Sequence, residues 1–260
     1  MTNLIPMAGE GERFVRDGYQ YPKPLIEVSG TPMIVQAARS LPKADRWIFV
    51  CRQEHVNVYH VDKLLKEYFL DSEIISIDYL TEGQASTCLL AEPTLIKDDP
   101  LLIGPCDNGM TWNEDKYNAL VSSNEIDALI WTFRNNVTVK RNPKMYGWVE
   151  LDDKGDVQRV SCKIPISNNP VSDHAIIGAF YFKKALYFID AAKLMISKNR
   201  RINNEFYVDE VMNELIASGL RVKVFEIDKY ICWGTPNDLR TYQYWESYFK
   251  KTLGHYKVNS

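Results

Sequence analysis

The sequence predicts an α/β protein whose Rossmann-like, mostly parallel sheet carries helices on both faces and an inserted β-hairpin lobe. Short apolar runs alternate with helical patterns in the first half of the chain, as is typical of a parallel sheet that is covered on both faces. The second half contains a β-hairpin pattern instead. With 260 residues, of which 45% are hydrophobic, the chain is long enough to bury a large core. We therefore predict one domain over residues 1–260.

Strands and helices alternate regularly in the first half. Short apolar runs predict buried strands, and the segments between them show helical spacing of apolar residues or begin with proline at the first turn. A further short helix is expected near residues 114–123. In order, the predicted strands are TNLIPMA, RWIFVC, EIISIDYL, PLLIGPCD and DALIWTFR, and the predicted helices between the first four are PMIVQAARSL, QEHVNVYHVDKLLKEYF and QASTCLLAEPTLI.

The second half changes character. GWVELDDKGDVQRVSCKI has two alternating runs around an Asp-Lys-Gly turn, which predicts a hairpin. AIIGAFYF and RVKVFEI are further strands, helices are expected over residues 184–199 and 206–218, and NDLRTYQYWESYFKKTL is an amphipathic closing helix. Its aromatic residues are expected to pack into the core, with a dimer face as the alternative. These residues are Tyr242, Tyr244, Trp245, Tyr248 and Phe249.

Composition narrows the function classes. The 31 Lys and Arg residues against 34 Asp and Glu give a net charge of −3, which argues against a nucleic-acid partner or an anionic membrane. Five scattered cysteines without a CxxC pair indicate reduced thiols, and the four histidines lack metal-ligand spacing. No apolar run approaches the length of about 20 residues that a membrane helix needs, so we expect a cytoplasmic protein.

A glycine-rich loop, AGEGER, follows the first predicted strand. In an open parallel sheet, ligands bind beyond the carboxyl ends of the strands. Gly9 and Gly11 would allow backbone N–H groups to approach phosphate oxygens, and Arg13 would pair with further negative charge. The spacing matches neither the P-loop nor GxGxxG, because residue 14 is Phe, so an ordinary tight turn is the alternative.

Two further polar residues belong to the same predicted edge. Lys23 lies between two prolines, which stiffen the loop and would fix an ammonium group against phosphates; an exposed loop lysine is the alternative. Asp107 ends the strongly apolar strand LLIGPCD, where a carboxylate is well placed to hold Mg²⁺. The alternative is that Asp-Asn-Gly simply begins a turn.

In this order, the motifs resemble those of a known family. MAGEGERF with YPKPLIEVSGTPMI resembles the signature of the nucleotidyltransferases that activate sugar phosphates, the nucleoside-diphosphate-sugar pyrophosphorylases, and looks most like the branch associated with capsule and other bacterial surface polysaccharides. The resemblance runs over nearly the whole chain. Further segments that are similar to family motifs are TEGQAST, CDN, MYGWVELDDKG, NNEFYVDEVMNELIASG and WGTPNDL.

The resemblance implies a reaction and its participants. A nucleoside triphosphate would be coupled to a sugar 1-phosphate or another small phosphorylated metabolite, with Mg²⁺ as cofactor and release of pyrophosphate. Residues 1–134 would form the nucleotide-binding half and residues 135–260 the acceptor-binding half, and formation of a homo-oligomer stays open. Arg13, Lys23 and Asp107 would be catalytic, and the metal ligands would be Asp107 and Asp228. The implied nucleotide-binding residues are Ala8, Gly9, Glu10, Gly11, Arg13, Lys23, Glu82, Gly83, Gln84, Ser86, Cys106 and Asp107, and the implied acceptor-binding residues are Tyr146, Gly147, Lys163, Gly178 and Glu205.

Two positions depart from the family pattern. Cys162 stands where many relatives carry Glu before the acceptor lysine, and Cys232 where many carry a second metal-binding aspartate; Asp228 is the nearest substitute. Two alternatives therefore stay open. One is a glycosyltransferase that uses a nucleotide-sugar, although CDNGM lacks the DxD pair common in those enzymes. The other is a nucleotide-binding protein of the same fold without turnover. The nucleotide base and the acceptor also stay open.

Overall fold

The computed structural model describes residues 1–257 of the backbone and the side chains of residues 1–252. The strands are β1 Thr2–Pro6, β2 Glu27–Val28, β3 Thr31–Pro32, β4 Arg46–Arg52, β5 Glu73–Ile77, β6 Leu101–Ile103, β7 Asn108–Thr111, β8 Ala128–Phe133, β9 Gly147–Leu151, β10 Val157–Cys162, β11 His174–Phe182, β12 Val222–Glu226 and β13 Lys229–Cys232. The helices are α1 Glu12–Arg16, α2 Met33–Arg39, α3 Gln53–Tyr59, α4 Val61–Tyr68, α5 Gln84–Leu89, α6 Glu114–Ser122, α7 Ala185–Ser197, α8 Val208–Ala217 and α9 Pro236–Lys257.

A nine-stranded mixed sheet forms the centre of the protein. Strands β6, β1, β4 and β5 are parallel neighbours, and β12 is parallel to β8. Strand β11 joins the two parallel groups, because it is antiparallel to both β6 and β8. The predicted α/β class with a mostly parallel central sheet is confirmed.

The hairpin of β9 and β10 branches from one edge of β11. The end of β11 pairs with β6 through residues 180–182, whereas its start pairs with β9 through His174 and Ala175. Between these segments the register against β8 shifts, and Gly178 adopts a φ of 86°. This conformation is readily accessible only to glycine, so Gly178 allows the strand to bend where the hairpin leaves the sheet.

Three apolar clusters hold these layers together. Two large clusters lie on the two faces of the sheet, as expected for a sheet that is buried on both sides. A third, smaller cluster joins the start of the chain to its end, because Phe14 and Met33 pack with Trp233 and Leu239. It therefore fixes the loop after β1 against the start of α9.

The structure corrects several predicted elements. The helix predicted over residues 53–69 is two helices, because His60 adopts a left-handed φ of 52° between them. The aromatic residues of α9 do not enter the core as expected: Tyr244, Trp245, Tyr248 and Phe249 are each at least half exposed, and only Tyr242 packs beside Trp233. The two-stranded ladder of β7 and β13 has no counterpart among the predicted elements.

No helix within residues 1–257 combines the length and the apolar character needed to cross a bilayer.

Candidate active site

The glycine loop leaves β1 at the carboxyl edge of the sheet and leads into α1. Gly11 precedes α1 with a φ of 64°, and a Cβ atom there would lie 3.1 Å from Cβ of Lys23. A Cβ atom on Gly9 would meet no atom within 4 Å. Phe14 anchors the loop, since its side chain is only 1% exposed. The loop is thus held firmly at one side while its backbone at Gly9 stays open to a ligand.

Lys23 and Asp107 form an ion pair at the centre of the site. Lys23 begins a short 3-10 turn after Pro22, and its Nζ donates a hydrogen bond to Oδ2 of Asp107. Both side chains are largely buried, with exposed fractions of 19% and 29%. Burial favours the neutral amine, but the Asp107 carboxylate outweighs this effect and raises the pKa of Lys23 above its ordinary value. Lys23 is therefore a fixed positive charge.

The ladder of β7 and β13 positions Asp107. Cys232 pairs with Asn108, and the backbone N–H of Trp233 donates to the Asp107 carbonyl at 3.1 Å. The turn after β13 then passes over the carboxylate, since a Cβ atom on Gly234 would lie 3.1 Å from Oδ2 of Asp107. Residues that are far apart in sequence therefore meet at this carboxylate.

The segment TEGQAST is fixed by backbone contacts with the start of α8. The N–H of Phe206 donates to the Glu82 carbonyl at 2.7 Å, and the N–H of Ala85 donates to the Phe206 carbonyl at 2.9 Å. Between them Gly83 has a φ of 124°, and a Cβ atom there would lie 2.5 Å from N of Phe206. The Glu82 side chain turns outward to Arg201, at 2.7 Å.

A first cavity, the glycine-loop cavity, has a volume of about 480 Å³. It contains most residues that the sequence assigned to nucleotide binding. Glu205, which was assigned to the acceptor, also lies on this wall, whereas the side chains of Glu82 and Ser86 do not. The lining residues that the sequence singled out are Ala8, Gly9, Glu10, Gly11, Lys23, Gly83, Gln84, Cys106 and Glu205.

A second cavity, the hairpin cavity, has a volume of about 450 Å³. It meets the first at Lys23 and Gln84, which line both. Arg13 and Asp107 line this cavity and not the glycine-loop cavity, which corrects the place expected for both. Further predicted residues on its wall are Tyr146, Gly147, Lys163 and Gly178. Sequence reasoning missed Asn142, Lys144, Asn203, Tyr207, Asp209 and Tyr230.

Lys163 and Tyr146 are held by neighbours in the hairpin cavity. Lys163 follows β10 with a φ of 63°, and its Nζ donates to the Met145 carbonyl at 2.7 Å. The same ammonium lies 5.1 Å from the centre of the Tyr207 ring. Tyr146 packs edge-on against Phe133, and burial raises its pKa, so its hydroxyl stays protonated. Both groups can donate hydrogen bonds to a bound anion.

Asp209, near the start of α8, is the missed residue with the most unusual surroundings. Its side chain is 7% exposed, and a Cβ atom on Gly147 would lie 2.0 Å from its Oδ2. The Cys162 thiol faces it. Burial raises the pKa of Asp209, although the nearby Lys163 partly opposes this effect. The only sequence signal was an acidic residue at the start of a predicted helix, which ordinarily indicates capping.

The structure does not bring the predicted second metal ligand, Asp228, close to Asp107. Asp107 lies opposite Trp233, one residue beyond the β7–β13 ladder. Asp228 precedes Trp233 by five residues, so about 17 Å of strand separates the two carboxylates. Cys232 does lie close to the Lys23–Asp107 pair, but burial raises the pKa of its thiol to about 12. A neutral thiol is a poor ligand for Mg²⁺.

Asp107 by itself fits a magnesium ion that also binds phosphate oxygens. Mg²⁺ prefers oxygen ligands and is often held by one or two protein carboxylates together with substrate phosphates. Within the described residues, no group of three or more His, Cys, Asp or Glu side chains is arranged to hold a metal. The donor set therefore suits an ion that arrives with a phosphorylated ligand.

These features define the class of the protein: an α/β fold with two adjacent cavities at the carboxyl edge of its sheet, where open α/β sheets bind ligands. The family model described as Nucleotidyl transferase matches residues 2–246, so the chain belongs to this family. The family resemblance seen in the sequence is thereby confirmed, and the chain is a nucleotidyltransferase. A comparison with curated proteins finds no match.

Solved structures with the same fold cover nearly all of the chain. A nucleoside-diphosphate-sugar pyrophosphorylase from Vibrio cholerae RC9 has a TM-score of 0.74 and 19% identity, over 92% of this chain and 98% of that one. The inositol-1-phosphate CTP transferase from T. maritima has a TM-score of 0.71 and 14% identity, over 93% of both chains. A Bacillus anthracis protein described as a glucose-1-phosphate thymidylyltransferase has a TM-score of 0.73 and 18% identity, over 93% of both chains. At these identities the likeness shows the fold alone.

Proposed function

We propose that the protein transfers a nucleotidyl group from a nucleoside triphosphate to a sugar 1-phosphate. The observation that carries this proposal is the meeting of two cavities at Lys23, whose ammonium pairs with Asp107 on the hairpin-cavity side. An oxygen of the acceptor phosphate attacks the α-phosphorus of the triphosphate. The bond from that phosphorus to the bridging oxygen of the β-phosphate breaks, and pyrophosphate leaves with the electron pair. Such a reaction depends on positioning and on charge neutralisation.

The glycine-loop cavity takes the triphosphate in this proposal. The backbone N–H groups near Gly9 and Gly11 bind phosphate oxygens, and Gln84 with the segment around Gly83 contacts the nucleoside. Lys23 lies at the boundary between the cavities, where its ammonium stabilises the negative charge that develops at the α-phosphate. Arg13 reaches the same region from the other cavity.

The hairpin cavity takes the acceptor. Lys163 lies close enough to this cavity to exchange its hydrogen bond with the Met145 carbonyl for one with the acceptor phosphate. Tyr146 and the backbone at Gly147 and Gly178 form the surrounding wall. In this arrangement residues 1–134 serve mainly the nucleotide and residues 135–260 mainly the acceptor.

Asp107 would hold Mg²⁺ as its only protein carboxylate. The bound ion would neutralise charge on the phosphate oxygens of the triphosphate. The ion pair with Lys23 keeps the Asp107 carboxylate in place before any ligand arrives.

The acceptor class is supported by the names of the structures with this fold. They name a nucleoside-diphosphate-sugar pyrophosphorylase, an inositol-1-phosphate CTP transferase and a glucose-1-phosphate thymidylyltransferase. Each name indicates a hydroxylated ring, and two of them specify its 1-phosphate. A nucleotide-sugar product would suit the synthesis of a capsule or another surface polysaccharide.

Pyrophosphate release tests the proposal. Four nucleoside triphosphates are each combined with a panel of sugar 1-phosphates and Mg²⁺, and release is expected with one or a few pairs. Asp107→Asn is expected to lower kcat by about 10²-fold or more, whereas the matched control Asp228→Asn keeps normal turnover. Triphosphate binding without release from any pair would contradict transfer. Formation of a nucleoside diphosphate from a nucleotide-sugar would indicate a glycosyltransferase instead.

A further inference from the structure

The hairpin cavity contains a carboxylate that the proposed reaction does not use. Among its described lining residues only Asp107 and Asp209 are acidic. Asp107 is paired with Lys23. Asp209 is only 7% exposed, so it is not a solvated surface charge. The groups around Asp209 must therefore explain why an acidic side chain is buried there.

Among residues 1–252, no side chain forms a strong hydrogen bond with Asp209. Its hydrogen-bond donors are its own backbone N–H and the Cys162 thiol, and a neutral thiol is a weak donor. The nearest cation is Lys163, but that ammonium donates to the Met145 carbonyl at 2.7 Å. The donors to Asp209 are few and weak for a buried carboxylate, so a ligand that supplies stronger donors would relieve a cost already present in the free protein.

The backbone opposite Asp209 is adapted to leave this carboxylate in place. Any side chain at position 147 would collide with it, because a Cβ atom there would lie 2.0 Å from Oδ2 and 3.0 Å from Cγ. Gly147 has no left-handed backbone conformation to explain its presence. The Asp209 side chain therefore fills the space that a side chain at position 147 of β9 would occupy.

The charge of Asp209 decides which part of an acceptor it can contact. A carboxylate repels the phosphate group, which is served by the cations Arg13, Lys23 and Lys163 of the same cavity. The rest of a sugar 1-phosphate is a ring that carries hydroxyl groups, and these are hydrogen-bond donors. An ionised carboxylate accepts such bonds with both oxygens.

We propose that Asp209 accepts a hydrogen bond from a ring hydroxyl of the acceptor and so determines which sugar 1-phosphate is bound. This inference rests on the proposed function, because it assumes a hydroxylated acceptor in the hairpin cavity. Asp209 is a specificity residue in this account, since it contacts the part of the acceptor that does not react.

Binding of deoxy sugars tests this role without requiring turnover. Glucose, galactose, mannose and N-acetylglucosamine 1-phosphates are titrated by calorimetry together with α,β-methylene nucleoside triphosphates, which cannot be cleaved at that position. The best ligand is then compared with its monodeoxy analogues. The wild-type protein is expected to lose about 10- to 100-fold in affinity for one analogue, as expected for a hydrogen bond to a charged group.

Two variants and one control complete the test. In Asp209→Ala the affinities for the same analogue and for its parent are expected to differ by no more than about threefold. In Asp209→Asn the ratio of these two affinities is expected to lie between those of Asp209→Ala and the wild-type protein. Glu210→Gln is the matched control: it removes the neighbouring carboxylate of α8, which accepts from Asn213 and does not line the cavity, so discrimination is retained. The Kd of the triphosphate analogue stays unchanged in all variants.

The outcomes separate this inference from the proposed function. Full discrimination in Asp209→Ala, in a folded protein that still turns over, overturns the role of Asp209 alone. Loss of discrimination in a protein that binds but never releases pyrophosphate overturns only the proposed function. If no sugar 1-phosphate of the panel binds, both are wrong.

Discussion

Gly9→Ala separates the stability of the free protein from its affinity for the triphosphate. A Cβ atom at position 9 meets nothing within 4 Å, and Gly9 is not among the residues with positive φ. The folded protein therefore accepts alanine without strain, while the unfolded chain loses conformational freedom. We expect the free energy of unfolding to rise by about 0.4–1 kcal/mol, or the Tm by about 1–4 °C for a protein of this size.

The same methyl group is expected to weaken triphosphate binding. It extends into the glycine-loop cavity, where the proposed ligand approaches the backbone. Loss of one charge-assisted hydrogen bond would raise the Kd of the triphosphate by about 10- to 100-fold. The Tm is measured without ligand, and the Kd is measured by calorimetry with each triphosphate.

Gly11→Ala is the contrasting control for this experiment. Gly11 has a φ of 64°, and its Cβ atom would lie 3.1 Å from Cβ of Lys23, so this variant is expected to be less stable than wild type. A Gly9→Ala protein that is clearly destabilised would contradict the description of the free loop. An unchanged Kd for every triphosphate that binds would refute the assignment of this loop to the phosphates.

Three further predictions concern other parts of the site. Gly83→Ala should lower the yield of folded protein or its Tm by several degrees, because its Cβ atom would lie 2.5 Å from the backbone N of Phe206; a normal Tm in thermal unfolding would contradict this. Lys23→Ala should lower kcat by about 10²-fold or more, and a change in KM alone would make it a binding residue only. Asp209→Asn should raise the free energy of unfolding of the ligand-free protein by about 1–3 kcal/mol at a pH where the Asp209 carboxylate is ionised. Burial raises the pKa of Asp209 above its unfolded-state value, so the destabilisation by its charge is complete above the folded-state pKa, shrinks as the pH falls below it and is absent below the unfolded-state pKa. The gain from Asn should shrink in the same direction, and a gain that does not change with pH would exclude this cause.

The sequence predicted the central elements because their hydrophobic patterns are strong. The runs that became β1, β4, β6 and β8 are apolar enough to be buried on both faces, and the hairpin of β9 and β10 carries a clear turn signal. Lys23 and Asp107 were singled out for reasons of local chemistry, and the structure does bring them together as an ion pair.

The errors arose where long-range contacts decide the outcome. The ladder of β7 and β13 is formed by NGMT and KYIC, which have no marked alternation, and its existence depends on pairing across more than 100 residues. That register is what removes Asp228 from the metal site. The sequence also did not show why residue 147 is glycine. Only glycine fits there because the Asp209 side chain on α8 occupies the space that a Cβ atom would need. A local pattern contains neither fact.

The third apolar cluster affects the order in which the site can form during synthesis. Phe14 and Met33 leave the ribosome early, but their partners Trp233 and Leu239 follow some 200 residues later. The backbone contact that holds Asp107 also waits for Trp233. The sheet can therefore begin to assemble on a nascent chain while the ligand site is still incomplete. Contacts of such high sequence separation form slowly, so binding competence is acquired only at the end of folding.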